Sequence, residues 1–317
     1  MGLLCSSSPG FVEDLRPPAA RLEAPPRLTL FPHEPYRSVM HRRAVILGSI
    51  GILVVPTAGS AQRAGKWRLG FLGVATAARF ERFLEALRLG LREHGYVEGK
   101  NITIELRWAE GRYDRLPALA AELVRLNPDV LITHGTPGTL ALKQATATIP
   151  IVMAIIGNPV EAGAVASLAR PGGNVTGGSF FSDEVTAKRL ELLKAALPDL
   201  ARVGVLVNRD NVATPNALRV MEQVAQALNV KVKPLEVRRL DELDGALTVA
   251  RTHTDGLVVP DEQLFSMGGT SRRIADLALG SRMPSIGPIE HADAGGLLGY
   301  GVDWADVVRR SMGHVDK

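Results

Sequence analysis

Apolar and polar positions alternate in two rhythms between residues 67 and 300. Short apolar runs at 67–73, 129–133, 149–155, 203–207 and 256–259 predict strands. The runs at 129–133 and 149–155 are almost wholly apolar, as in parallel strands covered on both faces. The run at 101–107 instead sets Ile102, Ile104 and Leu106 against polar neighbours, which predicts a strand with one wet face. Between these runs the period changes to that of a helix. Phe80, Phe83, Leu84, Leu87 and Leu91 fall on one face, with Arg79, Glu81, Arg82, Glu85 and Arg88 on the others, and Gly95 suits the C-cap. Further helices are predicted at 116–123, 185–197, 214–228 (with Thr214 as N-cap), 240–250 and 271–279, and strands at 230–237, 283–286 and 297–300.

Strand and helix alternate twice over, and the rhythm pauses at 170–178, where five residues are Gly or Pro and a turn or hinge is expected. Right-handed crossovers build such a chain into open parallel sheets. The predicted fold class is therefore α/β, two Rossmann-like parallel-sheet lobes joined by a hinge. Residues 62–178 form lobe 1, completed by about 289–317, and residues 179–288 form lobe 2. Ligands of open α/β sheets lie beyond the carboxyl ends of the strands, so the loops after the strands are where chemistry is expected.

The first sixty residues follow other rules. Residues 1–39 are rich in Pro, Arg and Ser without a period, and read as disordered or as an extension upstream of a true start at Met40. From Met40 the order is a basic stretch through Arg43, an apolar run from Ala44 to Val55, and small residues ending at Ala61. This is the three-part pattern of a signal peptide at 40–61, whose apolar run is short for a membrane span. Arg42-Arg43 leaves the general and the twin-arginine export routes both open. No cysteine stands near the cleavage site to carry a lipid, so a periplasmic protein starting near Gln62 is expected.

Composition changes little in this picture. With 46% hydrophobic and 22% charged residues the chain reads as globular, and 5% aromatics argue against a stacking surface for single-stranded nucleic acid. The net charge of +4 comes partly from residues 1–61, which hold six arginines against four acids and leave 31 basic and 29 acidic side chains beyond them. A nucleic-acid partner is not indicated. Cys5 is the only cysteine, which excludes structural disulfides, Cys-ligated zinc and a Cys nucleophile from the body of the protein.

No GxSxG, P-loop, HExxH or GxGxxG pattern occurs, and the seven histidines do not pair at metal-ligand spacing. No catalytic residue, cofactor or metal is therefore predicted. The strand-end loops offer hydrogen-bonding groups instead. Thr76 lies in the small-residue loop after the first strand, and His134, Gly135 and Thr136 end a buried strand and open a helix with Pro137 in its first turn. Free N–H groups there, with the Thr136 hydroxyl, can hold a carboxylate; a plain capped turn has the same residues. Asn158 begins either a ligand loop or an Asn-Pro turn. Asp210 and Asp261 follow strands and suit either a substrate amine or a helix cap. Phe180, Phe181 and Tyr300 line a cleft or fill a core.

Gly95-Tyr96-Val97-Glu98-Gly99-Lys100-Asn101-Ile102, His134-Gly135-Thr136-Pro137, Ile149-Pro150-Ile151-Val152 and Leu168-Ala169-Arg170-Pro171-Gly172-Gly173-Asn174-Val175-Thr176-Gly177 stand in order along the chain. Together they resemble the ABC-transporter substrate-binding family that includes tryptophan- and tyrosine-type binding proteins. The resemblance runs from about Trp67 to the C-terminus, and its last motif is the most specific. It implies a type I periplasmic-binding fold with a cleft for an amino acid or similar small solute, and an ABC permease in the inner membrane as partner to a monomer that is no enzyme. Relatives often carry Asp where this chain has Asn158, and they continue through a further segment beyond the position of Lys317. Two other readings share the cleft: a ligand-sensing lobe for a receptor, and an α/β enzyme, for which only His134, Asp210 and Asp261 offer acid–base groups.

Overall fold

The computed structural model describes residues 4–7, 66–266 and 269–316. The signal-peptide segment 40–61 and most of the upstream segment lie outside the described residues.

The first sheet is built from β2 (Trp67–Gly73), β3 (Ile102–Trp108), β4 (Val130–His134), β5 (Ile151–Ile156) and β6 (Val175–Ser179), all parallel, in the order β3-β2-β4-β5-β6. Side chains alternate across the pleat, so Leu69 and Phe71 of β2 face one core and Leu72 the other. The Leu69 side packs on α1 (Glu81–Glu93) and α10 (Trp304–Ser311), and the Leu72 side on α2 (Leu116–Arg125) and α3 (Gly135–Ala145). Gly95 follows α1 at φ +83° with its N–H on the Arg92 carbonyl, the left-handed stop its position suggested.

With β1 (Leu4–Ser7) at its edge, the second sheet has the order β1-β11-β10-β9-β7-β8. Its parallel strands are β7 (Arg202–Val207), β8 (Lys231–Glu236), β9 (Gly256–Val258), β10 (Ser285–Gly287) and β11 (Leu298–Gly301). One core lies towards α4 (Ser182–Ala196) and α5 (Thr214–Ala227); the other lies towards α6 (Leu243–His253) and α8 (Thr270–Gly280). Two short helices, α7 (Gln263–Ser266) and α9 (Ile289–Asp293), complete this lobe. The architecture is the expected pair of α/β lobes.

Four details differ from the sequence reading. Residues 175–179 form β6 rather than a turn, because Gly177 and Gly178 let the strand lie close to β5: a Cβ on Gly177 would sit 2.1 Å from the Met153 carbonyl oxygen. Residues 4–7, expected in a segment without structure, form β1 (Leu4–Ser7), antiparallel to β11. β11 still belongs to the second sheet, so the chain returns to the first lobe at about 302 rather than 289. Thr214 is the first residue of α5 and not its N-cap, its hydroxyl donating to the Asn208 carbonyl at 2.5 Å.

Within residues 66–316 the chain crosses between the lobes twice. The first crossing runs through Phe180 and Phe181 into α4, and the second through Val302 and Asp303 into α10. Asp303 caps α10 by accepting from the N–H groups of Ala305 (3.0 Å) and Asp306 (3.2 Å).

Candidate functional site

Loops from the carboxyl ends of both sheets face each other across a cleft of about 970 Å³. The first lobe contributes Thr76 and Arg79 after β2 and Glu110 to Asp114 after β3; the second contributes Asp210, Arg238 to Glu242 and Gln263. Within the second lobe lies a separate pocket of about 70 Å³ walled by Asp183, Asn208, Asn211, Asp261 and Glu262 with Leu206 and Met221. The outer volume suits a small organic solute. The inner one has room for about two water molecules.

Tyr113 and Glu262 pair one residue of each hollow. Tyr113 lines the outer cleft, Glu262 lines the inner pocket, and the tyrosine hydroxyl of the first lobe donates to the carboxylate of the second. Glu262 also accepts from Asn211 Nδ2 at 2.5 Å, and from Asn208 Nδ2 and the Leu264 N–H at 3.5 Å each. Burial raises the Glu262 carboxyl above the usual range against the pull of these donors. Burial and the neighbouring carboxylate push the Tyr113 phenol well up, so it stays protonated and donates.

A second polar seam joins the lobes at the first crossing. Asn158 Nδ2 of the first lobe donates to Asp183 Oδ2 at 2.6 Å, and Asn216 Nδ2 of α5 donates to the same oxygen and to Glu161, each at 2.6 Å. Burial raises the Asp183 carboxyl too, with these amides opposing. Gly135 adds a close approach: at φ +71° it starts α3, and a Cβ on it would lie 1.8 Å from Nε2 of Gln263 in the other lobe. These contacts join the two lobes beside the cleft.

The rim is rich in charge, and most of it is paired. Arg112 meets Asp114 at 2.7 Å, Arg239 meets Asp241 at 2.8 Å, Arg238 meets Asp210 at 3.8 Å and Arg115 meets Glu110. Exposed pairs of this kind add little to stability. Arg79 is the exception. It is half-buried, burial lowers its guanidinium below the ordinary value, and no side-chain partner reaches it among the described residues.

The residues singled out from sequence separate into groups. Thr76 and Asp210 line the outer cleft, Asp261 lines the inner pocket, and Gly135 and Asn158 lie on the seam between lobes. Thr136 is buried at the start of α3. His134 and Phe180 are core residues. The His134 ring stacks with Phe80 at 4.5 Å and its Nε2 accepts the Val74 N–H at 3.1 Å; Phe180 packs against Trp304 at 6.0 Å. Asp261 is paired with the fully buried Arg189 at 2.8 Å. The same guanidinium donates to the carbonyls of Tyr300 (2.8 Å) and Val259 (3.1 Å), so it ties the ends of β9 and β11 together. Tyr300 enters the site region through that carbonyl, since its side chain lines neither hollow. Phe181 is 48% exposed at φ +54°, a linker residue at the crossing. Sequence reasoning missed Arg79, Tyr113 and Glu262. Glu262 is next to the chosen Asp261, and Tyr113 follows the strand with the wet face, but neither has a motif of its own.

Among the described residues no group of three His, Cys, Asp or Glu side chains is arranged to hold a metal ion, and no helix is long and apolar enough to cross a membrane.

A sequence profile described as ABC transporter substrate binding protein matches residues 79–312, which span both lobes and both crossings. The chain belongs to that family. A tyrosine-binding protein of Clostridioides difficile is 29% identical over 215 residues, which are 68% of this chain and 61% of that protein. The chain thus spans about three fifths of that relative's length. The structure resembles the ABC domain in complex with L-Trp from Streptococcus pneumonia, with a TM-score of 0.71 and 23% identity over 79% of this chain and 84% of that one. It also resembles a conserved domain protein from Vibrio cholerae, with a TM-score of 0.73 and 24% identity over 79% and 83%. These likenesses establish the two-lobe fold that the substrate-binding family shares.

Proposed function

We propose that this protein is the solute-binding component of an ABC importer, exported to the periplasm as a monomer, where it closes on an amino acid or similar small solute and presents it to a permease in the inner membrane. The observation that carries this reading is the cleft with one wall from each lobe, bridged by Tyr113 and Glu262. A solute touching both walls favours the closed arrangement over the open one, and that difference in contact drives closure. Thr76, Asp210 and Asn158 are the sequence-predicted contacts best placed for this role, joined by Arg79, Tyr113 and Glu262. The export step rests on the pattern at 40–61, and the amino-acid ligand on the names of the relatives.

The enzyme reading loses its chemistry in the same geometry. His134 is buried among Phe71 and Phe80, Asp261 is neutralised by Arg189, and Asp210 lies on the rim, so these acid–base candidates do not converge on one atom.

The test is thermal unfolding of the purified protein against a panel containing L-tyrosine, L-tryptophan, L-phenylalanine, L-leucine and benzoate. A ligand at a hundred times its Kd stabilises by about 2.7 kcal/mol, which raises the Tm of a chain this size by about 4–5 °C. Folded protein that shows no shift with any member would sink the proposal.

A further inference from the structure

The largest fully buried side chain among the described residues is that of Arg189, on α4. Its guanidinium meets acceptors from three places in the second lobe. Nε donates to the Tyr300 carbonyl at 2.8 Å, Nη1 donates to the Val259 carbonyl at 3.1 Å, and Nη2 stands 2.8 Å from Asp261 Oδ2. The Asp261 contact is one of charge, since neither carboxylate oxygen makes an aligned hydrogen bond; the two carbonyl bonds supply the direction. β10 lies between β9 and β11, so the fork reaches across the end of one strand to join two that are not neighbours. Gly301 leaves the room for it, because a Cβ there would lie 2.9 Å from Nη2. Stability alone is a poor reason for such a burial, as apolar side chains of the same volume often do as well as a buried ion pair.

The places that Arg189 joins are the moving parts of a two-lobe protein. Tyr300 stands just before the second crossing, and α4, which carries Arg189, begins at the first. The crossings touch each other through Phe180 and Trp304, 6.0 Å apart. Val259 and Asp261 lead directly into Glu262 and Gln263, which meet Tyr113 and Gly135 of the first lobe. The Arg189 side chain itself lines neither hollow. Building on the solute-binding reading, we infer that Arg189 is a positioning residue for lobe movement: it fastens the 259–263 loop to both crossings, so that loop and hinge move as one body. A solute or a first-lobe side chain that draws the loop across the cleft therefore turns the crossings, and turning at the crossings carries the loop. Arginine suits this task because its planar fork fixes several directions at once, whereas a lysine ammonium is a point charge on a flexible stem. Without the fork the loop meets the first lobe in many hinge settings, and contact there no longer drives closure.

Two variants separate this role from plain stabilisation. Arg189→Lys keeps a charge beside Asp261 and loses the fork; Arg189→Met combined with Asp261→Asn removes the charge pair altogether. Cooperative urea unfolding confirms that each folds. The first measurement uses no solute. Nitroxide labels at Arg92→Cys on α1 and Glu222→Cys on α5, both exposed positions, report the distance between the lobes in full-length protein carrying Cys5→Ser. Pulsed electron resonance is expected to show a broader distance distribution in both variants than with Arg189 in place. The second measurement is binding of L-tyrosine, L-tryptophan, L-phenylalanine, L-leucine and benzoate by titration calorimetry and stopped flow. For each member that the native protein binds, the variants are expected to lose affinity by about tenfold, chiefly through faster dissociation. An unbroadened distance distribution in the folded variants overturns the coupling, and so do native affinity and dissociation rate; solute binding is left standing in either case. Failure of both variants to fold assigns Arg189 to the stability of the second lobe and overturns the proposal as well. If the native protein binds no member of the panel, the solute-binding reading falls, and the distance distribution alone decides whether Arg189 couples loop and hinge.

Discussion

His134 gives a sharp test of the buried architecture through the substitution His134→Gln. The ring lies between Phe71 and Phe80, and burial lowers its pKa from 6.5 to about 3. Folded protein therefore refuses a proton that the unfolded chain accepts below 6.5. The contribution of this group is complete above pH 6.5 and is lost as pH falls towards about 3. Each pH unit in that window costs about 1.4 kcal/mol, so the native chain forfeits about 3 kcal/mol by pH 4.5 through His134 alone. Glutamine keeps an acceptor for the Val74 N–H but loses the ring contacts, a deficit of about 1–3 kcal/mol at pH 7.5. Urea unfolding of both proteins from pH 7.5 to 4.5 should then show two stability curves that converge and cross near pH 5. His291, lowered to about 4, acts with the same sign, and the raised carboxyls of Glu262, Asp183 and Glu290 with the opposite one. All four are common to both proteins and cancel in the difference. A stability difference that stays constant over the whole range would refute a buried neutral His134.

Arg189→Met leaves Asp261 buried without its counter-ion and also frees the carbonyls of Val259 and Tyr300, so urea unfolding at pH 7.5 should show a loss of about 3–5 kcal/mol. Adding Asp261→Asn to it should restore part of that loss. Gly90→Ala puts a Cβ 2.2 Å from the Arg309 carbonyl oxygen, where α1 and α10 touch backbone to backbone; the expected cost is about 1–3 kcal/mol, read from the same unfolding curves.

The lobes were legible because their signal is local. Leu69, Phe71 and Leu72 declare a doubly covered strand by composition, and Phe83, Leu84 and Leu87 a helix by spacing. β6 escaped because its stability comes from backbone proximity, which Gly177 permits and no side-chain pattern announces. The site was legible only as a set of loops. Asp210 and Thr76 could be placed at strand ends, yet whether Asp261 faced a ligand or a cation depended on Arg189, which lies 72 positions away on a helix. His134 shows the same limit. A polar residue at the end of a buried strand has identical sequence surroundings whether its ring turns to solvent or, as here, back among Phe71 and Phe80. Tyr113 and Glu262 are 149 positions apart, and only folding reveals them as partners.

Helix α10 has a bearing on how the chain acquires its shape. The core between α1 and the first sheet includes Trp304, Val307, Val308 and Met312, supplied after the whole second lobe has been made. As the polypeptide becomes available N-terminus first, residues 182–301 can assemble from a continuous stretch, whereas Phe83 and Leu87 keep an uncovered flank until more than two hundred further residues have followed. Closing so long a loop carries an entropic cost that grows only slowly with length, so the delay, more than the thermodynamics, is the hazard. The first lobe is the half whose core stays incomplete until the final helix docks.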